Sequence, residues 1–394
     1  MKKERKLNLV KKTLLITQNY FPELGSAANR MKNFYDTLSE EGEVDIISTV
    51  PIYPDKRLYS NDTTIESENI TKIDVKVKRY EQNLIWRLLL YLEVLCKTVF
   101  IILKRKKTYD TVIVSSPPIF ILLAGVVAQK KWHSELIVDV RDLWPDSLLG
   151  VKKFTHPLFL TCAYAIEKRL YNIADKIIIN SPAFEKNIMD KTVPKTKLTF
   201  IPNSLTKTEF SPEKKKKKVD NFIIIYTGNI GLAQDFEVLL KVSQKFQDIP
   251  KVQFLVIGYG FHIEKLRKQI EENNLSDKVI LLPPDSRINV LEKIKQADLA
   301  FLSLEQHEIF ETVLPGKLVD YLGCGTPIVG AISGYSQSVL EESQAGKAFK
   351  NKDIEGIVTY IKGLMRADTL REEMGNAGYL YAKEHFNWEV NKKN

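Results

Sequence analysis

The sequence predicts an α/β protein built from two doubly wound parallel sheets, and three observations carry that expectation. Strand-length apolar runs alternate with helix-length amphipathic segments, as in parallel sheets buried on both faces. The alternation breaks at the lysine run EKKKKK of residues 213–218 and then restarts. The length of 394 residues exceeds the ~100–200 of one average domain. The expected division is a first domain over 1–212, a linker over 213–219, a second domain over 220–375 and a C-terminal tail over 376–394. The lysine run reads either as a solvated linker or as a site for phosphate or lipid.

In order, the first half reads as strand LLIT, a helix over 27–40, strand VDIIST, a variable segment and IDVKVKRY. It continues with a long helix over 84–105, TVIVSS, a helix near 119–130, ELIVDV, a helix around 158–173, KIIINS, a helix over 182–190 and LTFIPN. The second half reads FIIIYTGNIG, helix 235–246, VQFLVIGYG, helix 262–273, KVILLPP, helix 287–296 and LAFLSL. A helix follows Pro315 and ends at Gly323 to Gly325, and a last helix near 378–392 is expected to cross back onto the first domain. Two facing Rossmann-like domains place ligands at the carboxyl ends of their strands.

A net charge of +9 favours anionic partners: nucleic acid, an acidic membrane surface or phosphorylated small molecules. The aromatics are not interleaved with basic residues in any recognisable nucleic-acid module, so no nucleic-acid partner is expected. Cys96, Cys162 and Cys324 are isolated and have no metal spacing against the histidines, which argues against disulfides and zinc and fits a reducing cytoplasm. The N-terminus MKKERKLNLVKKTLLITQ lacks the long apolar run and cleavage site of a secretory signal. Segments 84–103 and 112–128 are interrupted by charges or by Pro117 and Pro118, so neither supplies the ~20 apolar residues of a membrane span. A soluble or surface-bound protein is expected.

The loops carry the chemistry. After LLIT, Gly25, Ser26 and Ala27 open a helix and leave room for an oxyanion; an ordinary turn is the competing reading. Gly228, Asn229 and Gly231 follow the first strand of the second domain. Gly258 and Gly260 follow the next, but Ile263 stands where a dinucleotide fingerprint needs its third glycine. In ETVLPGKLVDYLGCGTP, Val313, Leu314 and Gly316 offer amides at a helix N-terminus and Lys317 adds a cation. Asp320, one turn further in, suits a pair of vicinal ribose hydroxyls, or is an exposed helix acid. Amides and a lysine suit a phosphate, so the set reads as a holder for a nucleoside diphosphate.

Six ordered segments, NYFPELGSAANR, VDVRDLWPDSLLG, IPNSLTKTEF, YTGNIGLAQDFEVLL, VLPGKLVDYLGCGTPIVGAISG and EHFNWE, resemble the retaining GT-B glycosyltransferases of family 4. The likeness is to the bacterial polysaccharide branch that includes N-acetylfucosaminyl transferases. It implies a GT-B fold with an acceptor-side first domain and a nucleotide-sugar-binding second domain. The implied activity is that of a retaining hexosyltransferase. Asp320 stands where the second glutamate of the family's E-x7-E element binds the donor ribose, and Thr312, with Glu311 beside it, stands at the first. The family's diphosphate-binding arginine and lysine are replaced by Asn229 and Gln234, leaving Lys317, Arg141 and Arg30 as candidates for that charge. Arg141 and Asp142 stand near the family's sugar-contacting histidine and are the catalytic candidates. Asp142 either orients Arg141 or receives the acceptor proton, with Asp146 assisting or merely salt-bridged. Trp144 is a sugar platform or a buried anchor.

No D-x-D occurs, so no metal and no other cofactor is expected beside the UDP-sugar substrate. Helix 84–105, with Trp86, Arg87, Lys97, Phe100 and KRKK at 104–107, reads either as an interfacial amphipathic segment or as a core helix ending in solvated lysines. The interfacial reading, with the branch resemblance, implies a polyprenyl-diphosphate-linked saccharide acceptor, as in capsule, O-antigen or exopolysaccharide synthesis. The enzyme would then be cytoplasmic and peripheral on the inner face of the bacterial membrane. A GT-B nucleotide-sugar epimerase is the alternative, separable by incubation with donor alone.

Overall fold

The structure is a computed structural model. It describes residues 10–52, 56, 59, 68–77, 84–150, 157–210, 221–350 and 352–394, so the expected lysine-rich linker lies outside the described residues.

The first sheet is built from β1 (Lys11–Ile16), β2 (Gly42–Thr49), β3 (Ile70–Ile73), β4 (Thr111–Ser116), β5 (Glu135–Val140), β6 (Lys176–Ile179) and β7 (Leu198–Phe200), in the order β3-β2-β1-β4-β5-β6-β7. Its helices are α1 (Ser26–Glu41), α2 (Leu84–Lys104), α3 (Ile121–Trp132), α4 (Asp146–Gly150), α5 (Pro157–Ile173) and α6 (Phe184–Met189). The pairings are parallel, and successive residues of one strand feed opposite faces. Leu14, Ile16, Val112 and Val114 join one core with residues of α2, α3 and α5, while Leu15 and Ile113 join a second core with Met31 and Phe34 of α1.

The second sheet comprises β8 (Phe222–Asn229), β9 (Val252–Tyr259), β10 (Val279–Leu282), β11 (Leu299–Ser303), β12 (Ile328–Ala331) and β13 (Gly346–Ala348), ordered β10-β9-β8-β11-β12-β13. Its helices are α7 (Phe236–Gln244), α8 (Ile263–Glu272), α9 (Arg287–Gln296), α10 (Glu308–Glu311), α11 (Gly316–Gly323), α12 (Tyr335–Glu342) and α13 (Ile354–Leu364). In both sheets strand order reverses beside the first strand, between β1 and β4 and between β8 and β11. That is where loops part to either side and leave a crevice.

The chain ends in α14 (Asp368–His385) and α15 (Trp388–Asn391) rather than in one helix near 378–392. The break at Phe386 and Asn387 lets Leu205 pair with the tail: its N–H donates to the Phe386 carbonyl, and its carbonyl accepts from the Trp388 N–H, both at 2.9 Å. Asn387 then caps α15, and Trp388 packs edge-on to Phe34 of α1 and donates its indole N–H to Thr37.

Candidate functional site: the cleft between the two sheets

A cleft of about 410 Å³ opens between the carboxyl ends of the two sheets. On the first-domain side, Gly25 ends the loop after β1 at φ 128°, a left-handed conformation that only glycine adopts without strain, and α1 starts at once. A Cβ on Gly316 would lie 3.1 Å from the Ser26 Cβ, so the N-termini of α1 and α11 meet across the cleft. Hydrogen bonds from Tyr259 Oη to the Leu24 carbonyl (3.1 Å) and from Ser181 Oγ to the Thr312 carbonyl join the domains on either side.

α11 is held by Tyr321, fully buried, whose hydroxyl accepts the Thr227 N–H at the end of β8 (2.9 Å). That anchor aims Lys317 and Asp320 into the cleft. The Lys317 ammonium lies 3.8 Å from the Tyr226 ring centroid and is hydrogen-bonded to the Tyr226 hydroxyl. Among the described residues no carboxylate comes within ion-pair distance of it. Burial lowers its pKa to about 7, with Asp320 opposing the shift. An ammonium so poorly compensated is a cation waiting for an anion.

Asp320 is not a lone helix acid. Arg287 grips it with two hydrogen bonds, of 3.1 and 2.9 Å, and turns its Nε to Glu209. Burial works against the Arg287 charge, but Asp320 and Glu209 outweigh it and hold the guanidinium above its ordinary pKa. The carboxylate keeps lone pairs free for a diol while its orientation is fixed. Sequence reasoning missed Arg287 and Glu209. Glu209 lies inside the motif IPNSLTKTEF, and Arg287 follows the Pro-Pro turn after β10, which were the available signals.

Of the expected residues, Gly25, Ser26, Asp142, Gly228, Asn229, Val313, Lys317 and Asp320 line the cleft together. Gln234 does so too and accepts the Gly231 N–H (3.0 Å), so Gly231 supports the wall without forming part of it. Leu314 is turned into the core. Thr312 ends α10 with its hydroxyl on the Ile309 carbonyl, and Glu311 accepts from Ser333, so neither lines the cleft.

Arg141 also departs from expectation. Its Nε donates to Ser115 Oγ (2.9 Å) and its Nη2 to the Pro117 carbonyl (2.8 Å), so β4, not Asp142, orients it. Asp142 faces the cleft, and burial raises its carboxyl pKa, partly opposed by Arg141. A carboxyl of that kind is a competent proton acceptor. Asp146 accepts from Tyr164 and Asn187, and Trp144 is buried against Phe120, so both are structural here. Arg30 is ion-paired with buried Asp139 (2.7 Å). Half of the basic string at 104–107 is likewise spent internally, because Arg105 and Lys107 reach Asp45. Among the described residues no cluster of three or more His, Cys, Asp or Glu side chains could hold a metal.

Residues 40–204 match the family model described as Glycosyl transferase 4-like domain, and residues 207–381 that described as Glycosyl transferases group 1. With two facing parallel sheets and the cleft between them, these domains make the chain a GT-B glycosyltransferase. Its curated relatives include the putative colanic acid biosynthesis glycosyl transferase WcaI of Escherichia coli K12, 22% identical over 83% of this chain and 84% of that protein. Another is the alpha-galactosylglucosyldiacylglycerol synthase of Streptococcus pneumoniae, 26% identical over 65% of this chain and 70% of that one. Among solved structures, Anabaena Alr3699/HepE in complex with UDP and glucose superposes with a TM-score of 0.68 at 15% identity, covering 97% of each chain.

Proposed function

We propose that this glycosyltransferase moves an N-acetylated sugar, such as N-acetylfucosamine or another N-acetylhexosamine, from its UDP donor to a polyprenyl-diphosphate-linked saccharide. The transfer proceeds with retention and serves capsule, O-antigen or exopolysaccharide synthesis. The observation that carries the reading is the meeting of two helix N-termini across the cleft, with Lys317 and Asp320 on the second-domain side. Helix amides and a buried ammonium suit a diphosphate, and a fixed carboxylate suits a ribose diol. The groups offered to the diphosphate are amides and an ammonium rather than carboxylates, so no metal is assigned to the site. In the reaction the bond from sugar C1 to the β-phosphate oxygen breaks and a bond from C1 to the acceptor oxygen forms. UDP departs, and the acceptor hydroxyl's proton passes to Asp142.

Support for a membrane acceptor comes from α2. Leu90, Val94 and Ile102 face the core, whereas Leu88, Leu89, Leu92, Phe100 and Leu103 are exposed. No helix among the described residues is long and apolar enough to cross a membrane. An outward apolar face therefore fits a peripheral position on the inner membrane leaflet. The names of the two curated relatives, one in colanic acid synthesis and one making a glycosyldiacylglycerol, agree with a surface-polymer or lipid-linked acceptor. The test is a screen of UDP-sugars against a lipid-linked acceptor with mass-spectrometric detection and assignment of the product anomer. Transfer of an N-acetylhexosamine with retention is expected. An inverted linkage, or donor conversion without acceptor, contradicts the proposal.

A further inference from the structure

α1 turns one polar stripe to the cleft, Ser26, Asn29, Arg30 and Asn33, at the spacing that keeps side chains on one helix face, while Ala28, Met31 and Phe34 pack inward. Arg30 differs from the rest of the stripe because it is 3% exposed and its guanidinium is held by its own domain. Asp139, fully buried at the end of β5, accepts its Nε at 3.0 Å and its Nη2 at 2.7 Å, and the Phe34 ring lies 5.1 Å from Cζ. Nη1 is buried and, among the described residues, has no hydrogen-bond partner. A charged N–H kept from both water and protein is costly unless a ligand meets it.

The surroundings say which ligand group that is. On the second-domain wall Lys317 has no carboxylate partner among the described residues, Arg287 is taken by Asp320 and Glu209, and Asn229 and Gln234 offer only carboxamides. A nucleoside diphosphate therefore meets too little positive charge on that wall. Arg30 lies one helical turn, ~6 Å, along α1 from Ser26, where the two helix N-termini meet. It sits beside Arg141, to which it is linked through Asp139: Ser115 Oγ donates to Asp139 at 3.0 Å and accepts from Arg141 Nε.

We infer that Arg30 is a donor-site residue whose Nη1 hydrogen-bonds the β-phosphate of the nucleotide, and that Asp139 is the positioning residue that aims it; this rests on the nucleotide-sugar reading of the cleft. The charge that steadies the leaving group thus crosses from the first domain, and one buried carboxylate sets the geometry of Arg30 directly and of Arg141 through Ser115.

Calorimetric titration of the full chain with UDP and with UMP tests this, because the ratio of the two affinities isolates the second phosphate. Arg30→Gln and Asp139→Asn are expected to lower the UDP-over-UMP preference by about tenfold or more, as for loss of a charged hydrogen bond, with a smaller loss for Arg30→Lys. General destabilisation weakens both nucleotides alike and leaves the ratio unmoved. Should Arg30→Gln fail to fold, Arg30→Lys and Asp139→Asn keep the test alive. A wild-type ratio in those two variants overturns the inference and leaves the nucleotide reading intact, whereas absence of UDP binding by the unmodified protein overturns both.

Discussion

On the first-domain side of the cleft Arg30 is held by its own domain, through Asp139, and Arg141, which does not line the cleft, is held by Ser115 and the Pro117 carbonyl. On the second-domain wall Lys317 rests on an aromatic ring and a hydroxyl, and burial has already lowered its pKa to about 7. Charge on the first wall is largely compensated before any substrate arrives; on the second, Arg287 is compensated by Asp320 and Glu209 but Lys317 is not. The difference teaches a division of labour. The wall that carries Lys317 is the one that gains most from an incoming anion, and the other offers fixed geometry: a cleft-facing Asp142 and Arg30 locked in place.

The comparison can be broken most forcefully at Asp142. If the first wall serves the chemical step, Asp142→Asn lowers turnover by about 10²–10⁴-fold, the range for loss of a general base, in a steady-state transfer assay. A second effect distinguishes the walls by pH. A bound phosphate favours the charged form of Lys317, so nucleotide binding takes up a proton above the free site's pKa of about 7. The UDP dissociation constant is then flat below about pH 7 and rises by about tenfold per pH unit above it, until the pKa of the complex is reached. Calorimetry in buffers of different ionisation enthalpy reports the proton directly.

A smaller effect is expected outside the cleft. Leu92→Asp with Phe100→Asp, both exposed on α2, should weaken vesicle co-sedimentation by about tenfold while UDP binding is unchanged. Smallest is Trp388→Phe, which loses the indole bond to Thr37 and should cost about 1 kcal/mol of stability by denaturant titration.

The sheets were legible because a parallel strand buried on both faces is a continuous apolar run, as in IIIY and LIVDV. The motif at the α11 N-terminus was legible because its amides, Lys317 and Asp320 are near neighbours in sequence. What escaped depended on long-range partners. Arg287 meets Asp320 across 33 residues and Glu209 across 78, and nothing local marks either contact. Arg141 was expected in the cleft because it follows a buried strand and stands, with Asp142, near the family's sugar-contacting histidine, yet the two side chains part at the bend after β5. Its guanidinium therefore turned to β4 while Asp142 faced the opening. Thr312 and Leu314 failed similarly: in the short stretch before α11 only Val313 and Pro315 turn outward to the cleft.

The central claim is that the second-domain wall holds the nucleotide while Asp142 acts in the transfer step. Calorimetric titration of UDP into Asp320→Ala and Asp142→Asn, side by side with the unmodified protein, tests it most directly. Loss of charge-assisted ribose bonds predicts binding weaker by about 1–3 kcal/mol in Asp320→Ala. In Asp142→Asn, binding should stay within about twofold of the unmodified protein. Equal losses in both variants, or an undiminished affinity in Asp320→Ala, would contradict the account.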